Sequence, residues 1–131
     1  MKAKSILVVE DNRDELAIYT TLLSYRGYRV FSASDFDGGL RTALEHRPDM
    51  AIVDVHLGDD SPDGCELVHA LRRDDRTRSM PVIAHTAFGD VYHRSLAGLG
   101  CDQVIHKPAD PTRLLHAVEQ LIGPGCPEQQ A

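Results

Sequence analysis

Five short apolar runs divide this sequence, and apolar residues at helical spacing lie between them. The runs are Ile6-Leu7-Val8-Val9, Arg29-Val30-Phe31-Ser32-Ala33, Ala51-Ile52-Val53-Asp54-Val55, a stretch within Met80 to Thr86, and Gln103-Val104-Ile105-His106. Runs of this length bounded by turn residues predict buried strands. Leu16, Tyr19, Leu22 and Leu23 predict a first helix, capped by Asn12 or Asp14 and stopped near Gly27. Asp35 to Glu45 predicts a second, weakened by Gly38-Gly39 and closed by Pro48. Glu66 to Arg73, with Leu67, Val68 and Leu71 inward, predicts a third. Asp90 to Leu99 predicts a fourth, the poorest in apolar residues. Leu114, Leu115, Val118, Leu121 and Ile122 give a fifth the clearest apolar stripe. Strands alternating with helices require βαβ units, hence a parallel sheet with right-handed crossovers and helices on both faces. The expected fold is a doubly wound five-stranded α/β domain of flavodoxin-like order 2-1-3-4-5 with five helices.

The 131 residues suit one domain. We assign residues 1–123 to it and 124–131 to a short, disordered tail begun by Gly123-Pro124-Gly125. No apolar run spans a bilayer, and Met1 to Ser5 leads into four apolar residues only, so no signal peptide or membrane insertion is expected. A net charge of -6 without a basic run argues against direct nucleic-acid binding. Cys65, Cys101 and Cys126 have no metal spacing and are odd in number, which fits reduced thiols in a cytoplasmic protein.

Asp54 is the anomaly in this pattern. A carboxylate in a buried strand is costly unless something pairs with it. In an open parallel sheet, ligands bind beyond the carboxyl ends of the strands. Glu10-Asp11, Asp54, Thr86 and Lys107 all fall at those ends. Crowded carboxylates are relieved by a divalent cation, and oxygen ligands suit Mg²⁺. A metal, a lysine and a hydroxyl around one aspartate are the parts that stabilise a transferring phosphoryl group. Asp54 would then be a nucleophile forming an acyl phosphate.

These residues resemble the receiver domain of two-component response regulators. The resemblance rests on Ile6-Leu7-Val8-Val9-Glu10-Asp11-Asn12, Ala51-Ile52-Val53-Asp54-Val55, Asp63-Gly64, Pro81 to Ala87, Gly100-Cys101-Asp102 and Lys107-Pro108, and covers about residues 4 to 122. It implies that Asp54 takes a phosphoryl group from a phosphohistidine on a sensor histidine kinase or a histidine phosphotransfer protein. It implies that Asp11, Asp54 and Glu10 bind Mg²⁺ together with the backbone carbonyl of His56. Thr86 and Lys107 would bond phosphoryl oxygens, and the Lys107-Pro108 bond would be cis. The module would signal rather than turn over substrate. Its switching surface, which would bind a downstream protein or a second copy, would comprise the fourth helix, fifth strand and fifth helix.

The sequence departs from the family pattern at Val104, where an aromatic residue is common three positions before the lysine. The loop from Asp54 to Gly64 is about two residues longer than usual, and Asp59-Asp60 lie in it. The alternative reading is a degenerate receiver, a protein-interaction module independent of phosphorylation. A phosphohydrolase of the aspartyl-phosphate type would need an aspartate where His56 stands. His85 and His106 flank the site in sequence, but strand alternation points them away from Thr86 and Lys107.

Overall fold

The computed structural model describes residues 3–55, 64–86, 100–107 and 110–125. The five apolar runs form β1 (Ser5–Val9), β2 (Arg29–Ala33), β3 (Met50–Asp54), β4 (Val82–Thr86) and β5 (Gln103–His106). All pair in parallel in the order β2-β1-β3-β4-β5, as the alternation predicts. Among the described residues the helices are α1 (Arg13–Tyr25), α2 (Phe36–His46), α3 (Gly64–Arg73) and α4 (Pro111–Ile122). Here α4 is the helix that the apolar spacing predicts as the fifth. The predicted helix from Asp90 to Leu99 lies outside the described residues.

Local chemistry sets the helix starts. Asn12 caps α1, its side chain accepting from Glu15 N at 3.0 Å. Asp35 caps α2 through Gly38 N at 2.7 Å. Asp110 caps α4 through Thr112 N at 2.8 Å, with Pro111 at the first helical position. The glycine pair in α2 also has a packing role. A Cβ on Gly39 would stand 3.0 Å from Leu67 Cδ2 and 3.1 Å from Val9 Cγ2. The residue that weakens the helix therefore lets it lie close against β1 and α3.

Because successive strand residues face opposite sides of a sheet, the core forms two layers. Ile6, Val8, Met50, Ile52, Ile83 and Ile105 pack with Leu23 of α1 and Leu114 and Val118 of α4. Leu7, Val9, Ala51, Val53 and Val82 pack with Ala43 of α2 and Leu67, Val68 and Leu71 of α3. Strands β3 and β4 are buried along their whole length. Polar groups can emerge from them only at their ends.

Two tethers hold the periphery. The Arg72 guanidinium, at the end of α3, donates to the carbonyls of Gly100 (3.1 and 2.8 Å), Arg78 (3.0 Å) and Met80 (2.6 Å). It also pairs with Asp102 at 3.1 Å, and Asp102 accepts from Val82 N at 2.8 Å. On the face of the sheet covered by α1 and α4, Lys4 Nζ donates to Ile122 O, and the Tyr28 hydroxyl donates to Gly123 O at 2.7 Å.

Candidate functional site

Parallel strands end on one edge, and that edge collects the polar residues the core excludes. Glu10 follows β1, Asp54 ends β3, Thr86 ends β4 and Lys107 follows β5. The Lys107 amide donates to Thr86 O at 2.6 Å, which fixes the lysine beside β4. Glu10, Asp54 and Thr86 are buried, at 3%, 6% and 0% exposure, while Asp11 is exposed.

The Lys107 ammonium joins the edge together. It bonds Glu10 Oε2 at 2.9 Å, Glu15 Oε2 at 3.2 Å and Asp54 Oδ2 at 3.3 Å. An ammonium has three N–H donors, so these three carboxylates match its full donor count. Burial disfavours the charge on Lys107, but the bond to Glu10 and the charges of Asp54 and Glu10 outweigh it and hold its pKa above the ordinary lysine value. Burial pushes the Glu10 carboxyl up to about 8, and the neighbouring Asp54 charge adds to the rise against the pull of Lys107. Without a cation, the edge therefore favours a proton on Glu10 near neutral pH.

One carboxylate oxygen from each of Glu10, Asp11 and Asp54 lies within 4.8 Å of the others. Three hard oxygen donors at the ends of two adjoining strands fit Mg²⁺, which needs few protein ligands and keeps several waters. A dication there would remove the condition that makes Glu10 hold a proton. Helix α3 begins against the main chain of this site. A Cβ on Gly64 would come 2.1 Å from Asp54 O, and Gly64 N donates to Val55 O at 2.8 Å. Position 64 must be glycine for the chain to return so closely to β3.

The structure thus brings Glu10, Asp11, Asp54, Thr86 and Lys107 to one edge. His56, the Lys107-Pro108 bond and the Asp59-Asp60 pair lie outside the described residues. Val104 pairs with Ala84 in register and packs beside Val55, Cys65 and Cys101 on the α3 side. His85 is buried and faces α1, its ring edge-on to Tyr19 with centroids 5.0 Å apart. Burial, then the charge of Lys107, lowers its pKa to about 4, so its imidazole is neutral at pH 7. Glu15 was not foreseen from the sequence. Its contact with Lys107 joins residues 92 apart, and the one hint is its helical spacing with Tyr19 on the face of α1 that meets the sheet.

Comparison with known proteins gives the family. The family described as "Response regulator receiver domain" matches residues 6–119. The chain belongs to the response regulator receiver family. The polar-differentiation response regulator DivK of Brucella anthropi is 33% identical to this receiver over 123 residues, covering 92% of this chain and 97% of DivK. The receiver domain of the sensor histidine kinase PA1611 from Pseudomonas aeruginosa PAO1, solved with a magnesium ion in its active-site cleft, superposes with a TM-score of 0.85. That pair shares 27% identity over 93% of this chain and 99% of the other. A CheY-like receiver protein from Methanospirillum hungatei gives a TM-score of 0.83 at 26% identity, over 91% and 93% of the two chains. The receiver is a module of two-component signalling. Among its described residues, no helix is long and apolar enough to cross a membrane.

Proposed function

We propose that the receiver accepts a phosphoryl group on Asp54 from a phosphohistidine of a sensor histidine kinase or a phosphotransfer protein, with Mg²⁺ as cofactor. The observation that carries this reading is the Lys107 ammonium bonded to Asp54 at 3.3 Å beside the Glu10–Asp11–Asp54 oxygen cluster. Glu10, Asp11 and Asp54, with the backbone carbonyl of His56, would hold the ion. Bound there, Mg²⁺ supplies neutralisation of the charge on the transferring phosphoryl oxygens.

The chain's own residues do the rest. An Asp54 carboxylate oxygen attacks phosphorus in line with the P–N bond. The P–N bond breaks, its electron pair returns to the donor imidazole, and an acyl phosphate remains on Asp54. Lys107 moves donors from the carboxylates onto a phosphoryl oxygen, and Thr86 donates its hydroxyl to another. The Thr86 shift would pass to the surface of β5 and the last helix, where a downstream protein or a second copy of the receiver would bind. We assign the receiver body to residues 1–123, with residues 124–131 as a tail. The Tyr28 bond ties the chain down at Gly123, and Gly125 still lies against the main chain of Arg26. We read the module as cytoplasmic, where a phosphohistidine donor would meet it.

Intact mass after incubation with acetyl phosphate and Mg²⁺ tests the reading. The wild type should gain one phosphoryl mass and Asp54→Asn should gain none. Absence of the gain with both acetyl phosphate and a phosphohistidine donor would reject it in favour of a phosphorylation-independent interaction module.

A further inference from the structure

Lys107 holds three carboxylates, and the proposed chemistry accounts for only two. Glu10 and Asp54 stand at strand ends, where Mg²⁺ would be held and the acyl phosphate would form. Glu15 stands on α1 and is the most exposed of the three, its side chain at 35% against 3% and 8% for the others. Its position is nonetheless built. Asn12 caps the helix by accepting from the Glu15 amide at 3.0 Å, which fixes where the Glu15 side chain starts. One turn later on the same face, Tyr19 packs edge-on against His85, the neighbour of Thr86 in β4. Helix α1 is therefore locked against the site by Tyr19 and reaches Lys107 with Glu15.

Two consequences follow from charge and donor number. An ammonium with three donors on three acceptors must release one before it can bond a phosphoryl oxygen. In addition, a carboxylate at the rim of the site repels an anionic donor as it approaches. We propose that Glu15 is a positioning residue for phosphoryl transfer: it holds Lys107 as a third acceptor, competes with the incoming phosphoryl group, and slows uptake most from the most negatively charged donors. This inference rests on Asp54 being the acceptor and assigns one further residue to that site.

The test compares wild type, Glu15→Gln and Asp54→Asn by intact mass against time, in Mg²⁺, with acetyl phosphate and with the less negatively charged phosphoramidate. Glu15→Gln should raise the uptake rate from acetyl phosphate about two- to fivefold, the effect of one partly exposed charge pair. The gain with phosphoramidate should be smaller. In about 1 M salt, where the screening length falls to roughly 3 Å, the difference between the donors should shrink. A structural effect of the substitution would change both donors by one factor at every salt concentration, and that result, or no change, overturns the inference. If the wild type itself gains no phosphoryl mass from either donor, the acceptor reading fails first and the inference falls with it.

A stability cycle in EDTA reads the contact without phosphorylation. Glu15→Gln should lower the melting temperature when Lys107 is present. In a Lys107→Met background it should raise it, because Glu15 has then lost its cation and still faces the acidic edge. A shift of the same sign in both backgrounds would also overturn the inference.

Discussion

Two cations organise this molecule, and they do so with opposite kinds of partner. Lys107 bonds three carboxylate side chains, two of which belong to the oxygen cluster that could hold a metal ion. Arg72 bonds three backbone carbonyls, which have no such alternatives, and adds one ion pair to Asp102. The first arrangement can be rearranged by chemistry at the site. The second holds the end of α3 to the residues flanking β4 and to the start of β5. A flexible ammonium with single donors suits the first task, and a planar guanidinium fork suits the second.

Removing each cation should separate the roles. Lys107→Met should slow phosphoryl uptake about 100-fold or more, the usual cost of losing a donor aimed at developing charge. Arg72→Met should leave the uptake rate within about twofold of wild type, which time-resolved mass spectrometry would show. Equal losses in the two variants would break the distinction. In urea unfolding the order reverses. Arg72→Met should cost about 2–4 kcal/mol, since several carbonyls lose a charged donor at once. Arg72→Lys should recover only part of it, because an ammonium cannot span the same acceptors.

The pH dependence sharpens the Lys107 side. Glu10 has a folded pKa of about 8 against an ordinary 4.5. The folded chain therefore binds the proton more tightly than the unfolded chain. The resulting stability is fully present below about pH 4.5 and is lost as pH rises toward 8. In EDTA, Glu10 should make the melting temperature fall across that window, and Glu10→Gln should flatten the fall. Added Mg²⁺ should offset the loss at the alkaline end. A melting temperature that does not respond to Mg²⁺ at pH 8 would count against the cation reading. The smallest effect belongs to packing alone. Gly39→Ala should cost about 1–2 kcal/mol by overpacking against Leu67 and Val9, with phosphoryl uptake unchanged.

What could be read in the sequence follows from how local each signal is. The strands were legible because β1, β3 and β4 are buried on both faces and so appear as unbroken apolar runs. Their order followed from alternation with helices. The site was legible because its chemistry falls where those runs stop, at Glu10, Asp54, Thr86 and Lys107. The third strand begins and ends one residue earlier than the run Ala51 to Val55 suggests. Pairing with β1 and β4 sets that boundary, and apolarity does not: Val55 is buried but lies past the ladder. The Glu15–Lys107 and Arg72–Gly100 bonds join distant segments, 92 and 28 residues apart. Neither carries a local pattern. Gly39 was read for its helix propensity, whereas its contacts with β1 and α3 are tertiary.

The bonds from Lys4 to Ile122 and from Tyr28 to Gly123 have a consequence for how this module can be joined to others. They draw the first strand's beginning and the last helix's end to one pole, and the acidic edge occupies the opposite pole. A fusion at either end, or the linker that joins residue 122 to residue 4 in a circular permutation, would lie on the far side. A donor protein could then approach Asp54 whatever cargo the module carries at its two ends.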